Sequence, residues 1–191
     1  MRKVTEDRRT RKTKAAIEKA FLELMTKKDI SKITIRDITD KADTNRSTFY
    51  THYEDIYDLL DSIENKVLEE MAVLPEFDMQ TLIDGGHIDI TPALEYIKNN
   101  RAVFAALMHS SRNAKFLRKI TALFEKIIFG SFSEKLLPRR NEAYRKMLIC
   151  FFVNGITSVV EQWVSGNSDT SEQQINYFIE DILKAGINGL R

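Results

Sequence analysis

The stretch Thr34 to Tyr53, TIRDITDKADTNRSTFYTHY, constrains the fold of this chain more than any other part of it. Thr34 is a hydroxyl N-cap with Asp37 three residues on, the spacing of a capping box. Ile35, Ile38 and Ala42 give the short helix behind that cap one apolar side. Asn45 is a second N-cap, and the helix it opens carries small polar residues first and aromatics last, running through Tyr50 to about His52. Two short helices joined by a tight turn make a helix-turn-helix, whose second helix is shaped to lie in the major groove of DNA.

The rest of the chain reads as helix on both sides of this unit. Ile17, Ala20, Phe21, Leu24 and Met25 recur at helical spacing and predict a first helix over about 10–27. Asp55 caps a long fourth helix, with Asp58 three residues later and a stripe of Ile56, Leu59, Leu60, Ile63, Val67 and Leu68. From Pro75 the sequence PEFDMQTLIDGGHIDIT loses helical periodicity and holds Gly85-Gly86, so it reads as irregular. Helices resume at Pro92. ALEYIKNNRAVFAALMHS fits one broken helix or two short ones, and the amphipathic stretch from Asn113 ends before Pro138. Glu142 to Val164 is apolar nearly all round its centre, so such a helix has to be buried on most sides. Gly166-Asn167 ends it. Ser171 with Gln174 boxes the start of a last helix, which sets Ile175, Phe178, Ile179, Ile182 and Leu183 on one face. With 7 Gly and 3 Pro in 191 residues, long helices are favoured over a sheet, and the expectation is an all-α fold of about nine helices.

Charge is divided unevenly. Residues 1–53 hold 14 Lys/Arg and 8 Asp/Glu, and residues 54–191 hold 15 and 20, so a net charge of +1 hides a basic start and an acidic remainder. A basic end suits a polyanion. The basic end alone would also suit a helical interaction module that binds a protein or acidic surface without sequence preference. No Gly-rich phosphate loop, GxSxG or HExxH is present, which argues against an enzyme. The single Cys150 cannot form an internal disulfide. His87 with Asp89, or His109 with Cys150, match no recognised metal spacing, so neither metal nor cofactor is expected. No run of about 18 apolar residues stands out as a membrane span, and MRKVTEDRRTRK has no apolar core of a secretory signal, so a cytoplasmic location is expected.

Thr34, Ile35, Ile38, Ala42, Thr48, Phe49, Tyr50, His52, Tyr53 and Leu59 together resemble the pattern of the TetR family of bacterial transcriptional regulators, over about residues 10 to 70. The run HYEDIYDLL is similar to a subgroup found in Gram-positive bacteria. The sequence departs from the pattern in three places. Asp43 stands where the turn usually has glycine, a position that needs a left-handed backbone. Asp29 stands where a glycine often closes the first helix. Ile56 replaces a lysine that in the family meets a DNA phosphate, so that contact falls to Arg46, Arg36 and the basic N-terminal residues.

The resemblance implies a helix-turn-helix domain at 1–53, a connecting helix at 54–74 and a ligand-sensing, dimerising domain at 75–191. It implies a dimeric repressor on a double-stranded DNA operator, paired through the last two helices and released by a small-molecule effector. Asn45, Arg46, Ser47 and Thr48 sit where helix-turn-helix proteins reach base edges, and Arg46 suits a guanine edge. Thr34, Tyr50 and His52 are candidate phosphate donors. Arg36 and the basic residues, chiefly Arg9, Arg11 and Lys12 with Arg2, Lys3, Arg8 and Lys14, are candidates to follow the backbone or enter the minor groove as an arm. Phe49 and Tyr53 read as core, the latter with a wet hydroxyl. For an effector pocket the candidates are Tyr96, Met108, His109, Asn154 and Trp163, while Phe104, Phe124 and Phe151 read as packing.

Overall fold

Side-chain caps at Thr34, Asn45, Asp55 and Ser171 open four of the helices. The structure is a computed structural model and describes residues 8–73, 81–82, 84–109, 113–132, 142–164, 166 and 170–190. Among them are nine α-helices and no strand: α1 Arg8–Met25, α2 Ile35–Lys41, α3 Arg46–His52, α4 Ile56–Ala72, α5 Thr91–Asn99, α6 Arg101–His109, α7 Asn113–Phe132, α8 Glu142–Val164 and α9 Glu172–Leu190. The all-α expectation holds. Asp55 Oδ1 accepts from the N–H groups of Tyr57 and Asp58 at 2.7 and 2.8 Å and so starts α4. Ser171 and Gln174 form the expected box at α9, with Ser171 N–H donating to Gln174 Oε1 at 2.9 Å. Asn100 splits the 93–110 stretch into two helices, because its N–H and its side-chain amide both donate to Tyr96 O and close α5.

Two boundaries differ from the sequence reading. Helix α1 starts and stops two residues earlier than expected, so Arg8 to Lys14 are helical and not an extended arm. Asp29 has φ −57° and needs no glycine-like backbone. Its carboxylate instead accepts from Ser31 N–H and Oγ at 2.9 and 2.6 Å, opening a short 3-10 turn over Ile30–Lys32 that leads into α2.

The N-terminal core is built from Ile17, Phe21, Ile38 and Phe49, all without solvent exposure, with Tyr53 beside them. Helix α1 packs on α2 and α2 on α3, while α1 also meets α6 and α4 meets α7. The N-terminal part is therefore tied to the C-terminal half at two places, through α1 and through α4. In that half α7 packs on α8, and α5 on α9, around Leu94, Phe104, Leu107, Phe116, Ile149 and Ile179.

Helix α8 needs a correction. By length and composition it is apolar enough to cross a membrane, although no run of that kind was expected from the sequence. The strip Met147–Val164 carries one formal charge, Glu161, and its polar residues are scattered, which hides the run from inspection. Nor is it buried on most sides within one chain: Met147 and Phe151 are 63% and 72% exposed. Tyr177, Phe178 and Ile182 of α9 are similarly uncovered.

Candidate nucleic-acid interface

The start of α2 is held by a reciprocal capping box. Thr34 Oγ1 accepts from Asp37 N–H at 3.2 Å, and Thr34 N–H donates to Asp37 Oδ2 at 2.8 Å. Lys28 Nζ reaches the same carboxylate oxygen at 2.9 Å. The Lys28 ammonium first, then the Thr34 N–H and hydroxyl, hold the Asp37 carboxyl well below its ordinary value, at about 2. A depressed carboxylate stabilises the fold above the pKa it has when unfolded and loses that contribution as pH falls through the folded value. The window here lies between the ordinary value of 3.8 and about 2. We expect the urea midpoint of the protein to drop more steeply below pH 4 than that of Asp37→Asn. Equal slopes for the two would dissociate Asp37 from acid sensitivity.

The turn between α2 and α3 is closed by Thr44 N–H donating to Thr39 O at 3.0 Å, the long bond of a Schellman closure. Asp43 takes the left-handed position at φ +49°, the one non-glycine residue with positive φ among the described residues. The expected departure from glycine is thus accommodated without redirecting the chain.

Helix α3 turns Phe49 wholly inward and leaves Arg46, Ser47, Tyr50 and Thr51 exposed, Tyr50 by 58%. Phe49 meets Tyr50 edge-on at 5.8 Å between ring centroids and Tyr53 at 5.7 Å, so buried aromatics fix the roll of the helix. Tyr53 is core, as expected, and its hydroxyl donates to Glu18 Oε1 of α1 at 3.2 Å. Lys66 of α4 reaches the other oxygen of Glu18 at 3.4 Å. Asn45 caps α3 through Thr48 N–H at 2.8 Å. His52 is half-buried against Tyr53. Arg36 is exposed but pairs with Asp40 at 3.4 Å one turn on. Arg9, Arg11 and Lys12 lie exposed at the start of α1, and Arg2 and Lys3 lie outside the described residues.

The pocket candidates stand in different settings. Met108 is buried. Tyr96 is half-buried and donates to Glu70 Oε2 of α4 at 2.8 Å; burial and that carboxylate raise its pKa. Trp163 Nε1 donates to Thr170 O at 2.9 Å. Asn154 lies exposed on the outer side of α8 and donates to Cys150 O at 2.7 Å. The side chains of His109 and Phe124 lie outside the described residues.

Sequence reading missed a charged cluster between α4 and α7. Lys115 Nζ donates to both oxygens of Asp61 at 2.7 and 2.9 Å. Lys119 Nζ reaches Asp61 at 3.3 Å, Asn65 at 3.1 Å and Glu64 Oε2 at 2.7 Å. Glu64 is 1% exposed, in the middle of the apolar stripe of α4. Burial pulls the Lys119 ammonium down, but its carboxylate partners outweigh it and its pKa is raised. The available signal was a carboxylate inside an apolar stripe at Leu60, Ile63 and Val67, which demands a buried partner.

Residues 17–63 match the family described as bacterial regulatory proteins, tetR family, and residues 89–185 match one described as transcriptional regulator C-terminal region. An uncharacterized HTH-type transcriptional regulator, YxbF of Bacillus subtilis strain 168, is 19% identical over 174 residues, covering 88% of this chain; the chain spans 44% of that relative's length. NalD of Pseudomonas aeruginosa, a secondary repressor of the MexAB-OprM efflux pump, superposes with TM-score 0.66 at 18% identity, covering 94% of this chain and 98% of NalD. The dihydroxyacetone kinase operon activator DhaS superposes with TM-score 0.60 at 18% identity, covering 92% and 96%.

Proposed function

The chain belongs to the TetR family of transcriptional regulators, and from that premise we propose that it is a homodimeric repressor of a palindromic operator, released by a small-molecule effector. The observation that carries the reading is the roll of α3: Phe49 is sealed in the core while Arg46, Ser47 and Tyr50 stand out together. Division of labour follows the helices, with residues 1–53 on DNA, 54–74 connecting, and 75–191 sensing and pairing. Arg46, Ser47, Thr48 and Asn45 meet base edges; Tyr50, His52, Arg36, Arg9, Arg11 and Lys12 meet the backbone. The effector site is drawn from the region of Tyr96, Met108, His109 and Trp163. Asn154 is better placed for the dimer face.

A dimer accounts for the open face of α8 and α9. Pairing these helices with a second copy makes a four-helix bundle that covers Phe151, Phe178 and Ile182, and it sets two α3 helices on successive major grooves about 34 Å apart. We expect Phe151→Asp to sediment as a folded monomer, since Phe151 is 72% exposed in one chain. An unchanged dimer would move the interface elsewhere. Regulatory sign differs between the two structural relatives, a repressor and an activator by their names. A promoter-reporter strain with and without the gene decides it here.

The test of the whole reading is binding to DNA upstream of the protein's own gene, with scrambled DNA as competitor at near-physiological salt. A complex of two chains per palindrome that survives the competitor is expected. Arg46→Ala should weaken it roughly five- to 150-fold, the range of one specific base contact of about 1–3 kcal/mol, and Tyr50→Ala, which removes a backbone contact, should weaken binding on all sequences alike. Binding that collapses equally on both DNAs as salt rises would reduce the interaction to charge alone.

A further inference from the structure

Asn45 Oδ1 receives three donors. Thr48 N–H lies 2.8 Å from it, Ser47 Oγ 2.6 Å and Thr48 Oγ1 2.9 Å. The amide has one possible orientation, because the Thr48 N–H requires an acceptor and the amide nitrogen is a donor. A carbonyl oxygen has no proton, so both hydroxyls must donate to it. The same holds nearby: Thr51 Oγ1 donates to Ser47 O at 2.9 Å, and Thr34 Oγ1 to the Asp37 carboxylate at 2.8 Å. Four hydroxyls of the helix-turn-helix thus turn their protons toward the protein; Thr34 Oγ1 also accepts from Asp37 N–H at 3.2 Å, whereas Ser47, Thr48 and Thr51 keep their lone pairs for other contacts.

This restricts what they can meet on DNA. Phosphate oxygens, guanine O6 and thymine O4 only accept. Adenine N6 and cytosine N4 carry amino groups that donate. A hydroxyl whose proton is already engaged matches the amino groups alone. Ser47 is exposed beside Arg46 and Tyr50, on the side of α3 away from Phe49. We propose that Ser47 is a specificity-determining residue whose Oγ accepts a hydrogen bond from the exocyclic amino group of an adenine or cytosine in the operator. Donors at this surface come from Arg46 and the Asn45 amide nitrogen. Thr34 and Thr48 are correspondingly poor phosphate donors, which leaves that role to Arg36, Tyr50, His52 and the start of α1. The inference rests on the operator-binding reading above and deepens it.

The experiment is selection of operators from random DNA with the wild-type protein and with Ser47→Ala, followed by affinity measurement on modified duplexes. Ser47→Ala keeps the Asn45 cap on Thr48 N–H, and circular dichroism checks that it folds. The base pair whose preference relaxes in the variant is the one Ser47 meets. At that pair, one duplex loses the amino group (purine for adenine, or 2-pyrimidinone for cytosine). A second loses the opposing carbonyl oxygen (2-aminopurine for guanine, or 5-methyl-2-pyrimidinone for thymine). Loss of the amino group should weaken wild type roughly three- to tenfold and leave Ser47→Ala nearly unaffected, while loss of the carbonyl affects both proteins alike. Coupling to the carbonyl, or no relaxed position at all, overturns the proposal. If wild type enriches no sequence, the operator reading itself fails and takes this one with it.

Discussion

Phe49→Ala is expected to lower the unfolding free energy by about 3–5 kcal/mol, the range for removing a fully buried aromatic side chain. Phe49 has no solvent exposure and shares the core with Ile17, Phe21 and Ile38, which come from two other helices. Its ring also sets the roll of α3 through Tyr50 and Tyr53. The variant should therefore lose operator affinity even at temperatures where the C-terminal helices stay folded. Urea unfolding followed by far-ultraviolet circular dichroism, paired with DNA binding, tests both halves. A loss under 1 kcal/mol would mean that the core closes over the cavity without it, and retained binding would detach the roll of α3 from this side chain.

Lys119→Met should carry the other large effect. Removing the ammonium leaves the Glu64 carboxylate 99% covered with its nearest cation gone. Breaking a buried pair from one side costs about 3–5 kcal/mol, and Lys119 is partly exposed, so about 2–4 kcal/mol is expected. The Glu64→Leu/Lys119→Met double variant should recover most of it, because an apolar pair needs no compensation for desolvation. If the double variant is as unstable as the single one, the loss comes from packing and not from a stranded charge. Operator affinity of the double variant then reports whether the junction between α4 and α7 also sets the placement of the helix-turn-helix.

Legibility tracked the distance between the interacting residues along the chain. Thr34 with Asp37, Asn45 with Thr48, Asp55 with Asp58 and Ser171 with Gln174 are three residues apart, and each cap formed as its spacing indicates. Phe49 was legible as core because its ring carries no polar group, and Tyr53 because it falls one helical turn after Phe49, on the same side. Lys119 with Glu64 was not legible, since the partners belong to different helices and only the crossing of α4 with α7 joins them. The 3-10 turn at Ile30–Lys32 escaped because Asp29 serves it as a cap in a place where glycine would signal a stop. Side-chain type marks a pocket candidate but does not say which face of a helix is covered; exposed Asn154 shows this.

The open face of α8 and α9 has a consequence for how the gene product behaves as its amount changes. On the pairing proposed above, a single chain that leaves Phe151 and Phe178 in water would be only part of a folding unit, and pairing would add stability by mass action. Melting temperature would then rise with protein concentration. Where chains are scarce and mostly single, doubling them quadruples the pairs. On the same reading, occupancy of an operator that accepts only pairs would climb more steeply than the number of chains and would give the promoter a threshold that needs no effector.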